Sequence, residues 1–212
     1  MNKYKVRTDL AMENGEKYEK DNIEIPGVRI RKHYNKVKDV RTTLVKIETE
    51  HGARLMEKPI GTYITMEAPS LAVSDEDYHQ EISLELSRHL KKLLPEKLNS
   101  VLVVGLGNQD VTPDALGPAV ISNLHITRHL IREYGFGGPG TRNCPMVSSL
   151  VPGVMAQTGM ETLEILQGVV EKTHPDVAVV IDALAARNTK RLNCTIQLTD
   201  TGISPGSGVG NH

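Results

Sequence analysis

Val101-Leu-Val-Val-Gly-Leu-Gly-Asn-Gln-Asp-Val-Thr-Pro-Asp114 is the stretch on which the fold turns. Val101–Val104 is a short, β-branched, unbroken apolar run, the pattern of a central strand in a sheet covered on both faces. It leads through Gly105-Leu-Gly-Asn108 to Thr112-Pro113-Asp114 and then to a new apolar helical pattern. A second run of the same kind, Val177-Ala-Val-Val-Ile181, ends directly in Asp182. In open α/β sheets, ligands and chemistry gather outside the carboxyl ends of the strands. If the ends of these two strands are neighbours, two carboxyl groups face one crevice, the raw material of acid/base hydrolysis.

On the amino-terminal side, residues 1–41 are polar and charged, locally basic over Arg29–Arg41, and read as a loosely packed arm. Thr43–Glu48 and Gly61–Glu67 alternate in the strand manner and are expected to pair as a small antiparallel unit. Ser74 is the expected cap of a helix with Asp77 in its first turn, Tyr78, Ile82, Leu86, Leu90 and Leu93 as its buried stripe, and Pro95 beyond its end. On the carboxyl side, Thr112 is the expected N-cap of a helix running from Pro113 to about Tyr134. Gly135-Phe-Gly-Gly-Pro-Gly140 is a clear break. Met146–Val151 reads as a short strand, Met160–Lys172 as a helix and Leu192–Leu198 as a last strand. This alternation from residue 76 onward predicts an α/β fold: a mixed, largely parallel sheet sandwiched by helices. The glycine-rich Pro205–His212 leads to no closing helix, so the expectation is a domain cut short at its carboxyl end.

The 212 residues fit one large or two small domains and can bury a sizeable core. Aromatics make up only 3%, with no Trp, so aliphatic side chains must do most of the packing. A net charge of −1 gives no global argument for nucleic acid or an acidic membrane. No apolar run approaches the roughly 20 residues of a membrane span, and the amino terminus lacks the apolar stretch of a secretory signal. Cys144 and Cys194 lie far apart without metal-ligand spacing, which reads as two ordinary thiols in a reducing cytoplasm.

Several motifs are weak on inspection. Gly105-Leu-Gly107 resembles the start of a dinucleotide fingerprint, but Asp110 occupies the third glycine position and would repel a pyrophosphate. A tight turn with close backbone approach is the better reading. Asp200-Thr-Gly202 resembles the aspartate loop of pepsin-like proteases, a chemistry that needs a second such loop, and the α/β pattern argues against that fold. No HExxH or histidine pair at metal-ligand spacing occurs. Ser207 lacks a nucleophile-elbow context. His174 reads as a turn residue, and Arg29–Arg41 as a solvated face. Asp114 and Asp182 remain, and a lone aspartate at a helix start is itself worth about 0.3–1 kcal/mol as a cap without any function.

Longer motifs are more specific. Tyr4-Lys-Val-Arg-Thr-Asp-Leu-Ala11, Val111-Thr-Pro-Asp-Ala-Leu-Gly-Pro118, Ser149-Leu-Val-Pro-Gly-Val-Met-Ala-Gln-Thr-Gly-Met-Glu161, Ile181-Asp-Ala-Leu-Ala-Ala-Arg187 and Asp200–His212 resemble the germination proteases of spore-forming bacteria. The resemblance covers essentially the whole chain. It implies a cytoplasmic endopeptidase of the forespore and spore core that degrades small acid-soluble spore proteins during germination. It further implies an inactive, homotetrameric zymogen. No metal is expected, because no histidine partner for one is evident, and no cofactor and no direct nucleic-acid or membrane partner are expected either. The implied fold is similar to that of hydrogenase-maturation endopeptidases, with Asp114 and Asp182 on the two acidic positions of their cleft. Gly105, Gly107, Asn108 and Arg187 are then expected in the loops around it. The implied domains are a propeptide over 1–9, a charged arm over 10–41 and a peptidase domain over 42–212.

Two nearby carboxyl groups titrate in split steps and hold one proton between them. Asp114, at a helix start, is the expected general base and Asp182 the expected acid. Thr8-Asp-Leu-Ala-Met-Glu13 resembles the family's target pattern of acid, apolar residue, Ala and second acid, so self-cleavage is expected between Asp9 and Leu10. The alternatives are a metal-dependent maturation peptidase on the same fold, and a non-catalytic binding module whose aspartates merely cap helices and pair with Arg187.

Overall fold

A computed structural model describes residues 8–20, 24–72 and 76–203. Tyr4–Arg7, the helix cap expected at Ser74, Ser207 and the glycine-rich Pro205–His212 lie outside the described residues. In chain order the elements are α1 (Ala11–Lys20), β1 (Val28–Asn35), β2 (Val40–Ile47), α2 (Glu50–Met56), β3 (Gly61–Glu67), α3 (Glu76–Leu93) and β4 (Ser100–Gly105). They continue with α4 (Leu116–Ser122), α5 (Arg128–Tyr134), β5 (Met146–Leu150), α6 (Met155–Thr158), α7 (Thr162–Thr173), β6 (Val177–Ile181) and β7 (Thr195–Thr199). The chain divides into two compact units, one drawn from Met1–Leu93 with Leu184–His212 and the other from Leu94–Ala183. Among the described residues no helix is long and apolar enough to cross a membrane.

The first unit is built on an antiparallel sheet in the order β1-β2-β3-β7. Thr43–Glu48 and Gly61–Glu67 pair as the alternation requires, with Val45 opposite Tyr63 and Thr42 opposite Met66. Strand side chains alternate between faces. Val45, Ile47 and Tyr63 accordingly pack with Leu10, Ala11, Met12 and Met56, whereas Val40 and Met66 pack with Ile82 of α3. The sheet is larger than the small unit expected, because β7 crosses back to pair with β3 instead of joining the parallel strands. The described part of the segment read as a loosely packed arm is folded in: Leu10 and Ala11 are fully buried, and β1 is an edge strand with a largely solvated face.

The second unit is the expected α/β element. Its sheet runs β5-β4-β6 with both pairings parallel, Val103 lying opposite Ser149 on one side and Val179 on the other. Every residue of β4 is buried, as a central strand covered on both faces demands. Leu102, Val104 and Leu106 form the core with Leu150, Val180 and two residues of α7, Leu166 and Val169. The single helix expected from Pro113 to Tyr134 is instead a short 3-10 turn (Thr112–Asp114), α4 and α5. The break has a visible cause at Thr127. Its N–H donates to the Val147 carbonyl at 3.1 Å. Its Oγ1 donates to Pro145 O at 2.6 Å and accepts Val147 N–H at 2.8 Å. Thr127 thereby satisfies the open edge of β5, which a continuous helix would leave unpaired.

Candidate active site

The carboxyl ends of β4 and β6 are locked together by a contact that only glycine permits. A Cβ on Gly105 would sit 2.4 Å from Gly117 O, and one on Gly117 would sit 2.3 Å from Leu106 O and 2.7 Å from Ile181 O. The first turn of α4 therefore rests directly on the backbone of both strand ends. Leu106 N–H donates to Ile181 O at 2.8 Å, which extends the β4–β6 pairing one step beyond the strands. Asp182 follows Ile181 immediately, and Asp114 precedes Gly117 by one helical turn. The structure thus brings both aspartates to the same end of the same sheet.

Asp114 does not cap α4, whose N-cap is Ala115 without a side-chain hydrogen bond. It folds back on the glycine turn, where its Oδ2 accepts Asn108 N–H at 2.8 Å. Gly107 makes room for this with φ of +110°, and a Cβ there would meet Asp114 O at 2.0 Å. Asn108 organises the rest of the turn. Its Oδ1 accepts Asp110 N–H at 2.9 Å and Gln157 Nε2 at 3.1 Å, and its main-chain carbonyl accepts Val111 N–H at 3.2 Å. Asp182 Oδ1 accepts Ala183 N–H at 2.9 Å. Both aspartates are partly exposed. Two carboxylates within reach of water, oriented by main-chain donors on a rigid sheet end, can move protons to and from a polar substrate. Among the described residues no group of three or more His, Cys, Asp or Glu is arranged to hold a metal ion. Cys144 and Cys194 are free thiols.

Arg187, expected beside the aspartates, belongs to the first unit, where its Nη2 donates to Asn14 Oδ1 at 3.2 Å. The Asp9–Leu10 bond lies there too, held by segment 184–197. Asp9 N–H donates to Ala185 O at 2.8 Å, and Asp9 Oδ2 accepts Ala185 N–H at 2.7 Å. Gln197 brackets the bond: Nε2 donates to Asp9 O at 2.9 Å, while Oε1 accepts Ala11 N–H at 2.9 Å. Three residues on, Glu13 accepts the N–H groups of Arg187 and Asn188 and an ion pair from Arg191 at 2.9 Å. Burial alone pushes the Glu13 carboxyl up, but hydrogen bonds from Thr8, Arg191, Arg187 and Asn188 together hold it below the ordinary carboxylate range. Arg191 also pairs with Glu16 and Glu67.

Sequence reasoning did not single out Gln157, Gln197 or Arg191, and it read Glu13 only as the second acid of the Thr8–Glu13 pattern. Gln157 lies within a motif already quoted, Ser149–Glu161, yet nothing in its spacing announces a hydrogen bond to Asn108. The others are polar residues whose partners lie more than a hundred positions away.

A family model described as germination protease matches residues 6–212. The chain belongs to the germination protease family. It is 50% identical over 211 residues to the germination protease of Caldanaerobacter subterraneus subsp. tengcongensis, covering 98% of this chain and 62% of that protein. With the germination protease of Clostridium tetani it shares 47% identity over 209 residues, 98% of this chain and 64% of the relative. The corresponding protein of Oceanobacillus iheyensis is 42% identical over 219 residues, with 98% and 58% coverage. The chain therefore spans less than two thirds of the length of these germination proteases.

Proposed function

We propose that this chain carries the catalytic aspartates of an endopeptidase that degrades small acid-soluble spore proteins in the spore core during germination. Asp114, its Oδ2 oriented by Asn108 N–H, acts as general base and takes a proton from water as that water attacks the scissile carbonyl. Asp182, protonated, polarises the carbonyl oxygen and then donates to the leaving amine. In this mechanism the two carboxyls act as a pair, and paired carboxyls share a proton more readily than they both ionise. The protein is a homotetrameric zymogen that removes its propeptide, residues 1–9, by cutting between Asp9 and Leu10, and the reaction uses no metal.

The observation that supports the reading is the placement of two partly exposed aspartates at the same end of one parallel sheet, in a member of the germination protease family. The test uses the full-length protein incubated with an acid-soluble spore protein. Asp114→Asn and Asp182→Asn should each lower cleavage by about 10²–10⁴-fold or more, with the thermal midpoint nearly unchanged. Near-normal turnover by either variant would end the dyad mechanism. Activity that disappears with a chelator and returns with added metal would move the protein to the metal-dependent class.

A further inference from the structure

Cutting a chain creates a charge where there was none. Hydrolysis of Asp9–Leu10 adds water across the amide: the water oxygen goes to the Asp9 carbonyl carbon as a carboxylate, and the Leu10 nitrogen takes up protons to become an ammonium. The nitrogen concerned is not at the surface. Leu10 is 0% exposed, and the next N–H, that of Ala11, is tied to Gln197 Oε1 at 2.9 Å. A buried ammonium without an acceptor is strongly unfavourable. Its place just before α1 makes matters worse, because the positive end of the helix dipole repels it.

Glu13 stands where it can answer both costs. Leu10 is the residue before α1 and Glu13 the third residue of the helix, the position from which a carboxylate reaches back to the N-cap nitrogen in a capping box. In the uncut chain that nitrogen is held by Thr8. Leu10 N–H donates to Thr8 Oγ1 at 3.1 Å, and the Thr8 hydroxyl donates to Ala185 O at 3.4 Å. Three donors lie on Glu13. Oε2 accepts Arg187 N–H at 2.8 Å, and Oε1 accepts Asn188 N–H at 3.1 Å and Arg191 Nη1 at 2.9 Å. A carboxylate can accept about four, so one more fits.

We infer that Glu13 is the built-in acceptor for the α-ammonium group created at Leu10. The inference rests on the cut proposed above. Thr8 leaves with the released segment, so the Leu10 nitrogen loses its acceptor in the same event that gives it a charge and extra donors. The amide–hydroxyl hydrogen bond gives way to a direct ion pair with Glu13. The surrounding charges do not compete for the site. Arg191 is shared with Glu16 and Glu67, Arg187 reaches Asn14, and Lys58 sits against Thr8 O at 3.5 Å, on the side that departs. The pair would fasten the mature amino terminus to the 187–191 segment and keep α1 docked after the propeptide is lost.

The test follows the Leu10 α-amine. Full-length protein is matured by its own cleavage, and a second preparation is made behind a removable leader that leaves Leu10 as the first residue. Both are treated with an N-hydroxysuccinimide ester near neutral pH, and acylation of Leu10 is timed by mass spectrometry against the exposed lysines. The amine should react at least about tenfold more slowly than in the Glu13→Gln protein, the factor corresponding to one pKa unit. Should Glu13→Gln fail to fold, a glycine inserted before Leu10 leaves Glu13 intact, displaces the ammonium and should release the same factor. Equal rates in wild-type and altered proteins would overturn the pairing. N-terminal sequencing of the self-matured protein reads the cut separately, and a terminus other than Leu10 would overturn the cleavage site.

Discussion

Glu13 and Asp114 are both carboxylates fixed by main-chain N–H groups, and the difference between them separates structural from chemical work. Glu13 is 2% exposed and accepts three donors, including a guanidinium that is itself only 8% exposed. Asp114 stands at a partly exposed turn on the N–H of Asn108. A buried, ion-paired carboxylate is closed to substrate, whereas a carboxylate at an open turn is within its reach. Burial and pairing therefore predict stability as the quantity at risk in the first unit, and activity in the second.

The sharpest way to break this contrast is Arg191→Met. Removing one partner of a buried ion pair typically costs about 3–5 kcal/mol, because the other charge is left behind. Here Glu13 and Glu67 would both lose a hydrogen bond, so urea unfolding should shift by that amount. Arg191→Lys should recover only part of it, since one ammonium cannot fork to three carboxylates. By contrast, Asp114→Asn should change stability by no more than about 1 kcal/mol. If the two substitutions proved equally destabilising, the division between the units would fall.

A smaller effect sharpens the second unit. Gly107→Ala must place a methyl group 2.0 Å from Asp114 O at φ of +110°, so the turn or the aspartate has to move. Gly159→Ala is the control, with φ of +70° and nothing within 4 Å of the added carbon. The control should cost about 1–2 kcal/mol of backbone strain. Gly107→Ala should cost about 1–3 kcal/mol more from overpacking, and in the full-length protein it should lower turnover as well. Chemical denaturation of the pair separates strain from displacement.

The strand-end half of this contrast was legible in the sequence because its signals are local. Val101–Val104 and Val177–Ile181 are apolar throughout, and their parallel pairing brought Asp114 and Asp182 to one sheet end as expected. The glycine turn also announced itself, since Gly105 and Gly107 have no other reason to flank Leu106. The cradle was not legible. Residues 10–41 read as solvated because their charges are conspicuous, yet Leu10, Ala11 and Met12 supply the apolar contacts and Glu13 is neutralised by Arg191 from the far end of the chain. Pairing at such separation leaves no periodicity to read. The split between α4 and α5 was hidden for the same reason, because Thr127 answers to Pro145 and Val147 and not to its helical neighbours.

The smallest effect concerns a histidine that helical periodicity did not put on the buried stripe of α3. His89 is 9% exposed, with Glu85 Oε1 3.4 Å from its Nε2. Burial, followed by repulsion from Lys92, holds its pKa below the ordinary value, and Glu85 offsets only part of this. The unfolded chain therefore binds the proton more readily than the folded one. The contribution of His89 is fully present above about pH 6.5, the unfolded value, and is lost as pH falls through the folded pKa, at no more than about 1.4 kcal/mol per pH unit. Glu13, depressed for the opposite reason, gives way only at lower pH, as the medium falls through the carboxylate range. Stability measured against pH should thus decline in two stages, and His89→Leu should flatten the upper stage while leaving the lower one in place. A single decline confined to carboxylate pH in the unaltered protein would show that His89 protonates without penalty, and α3 would then be looser against the sheet than its burial indicates.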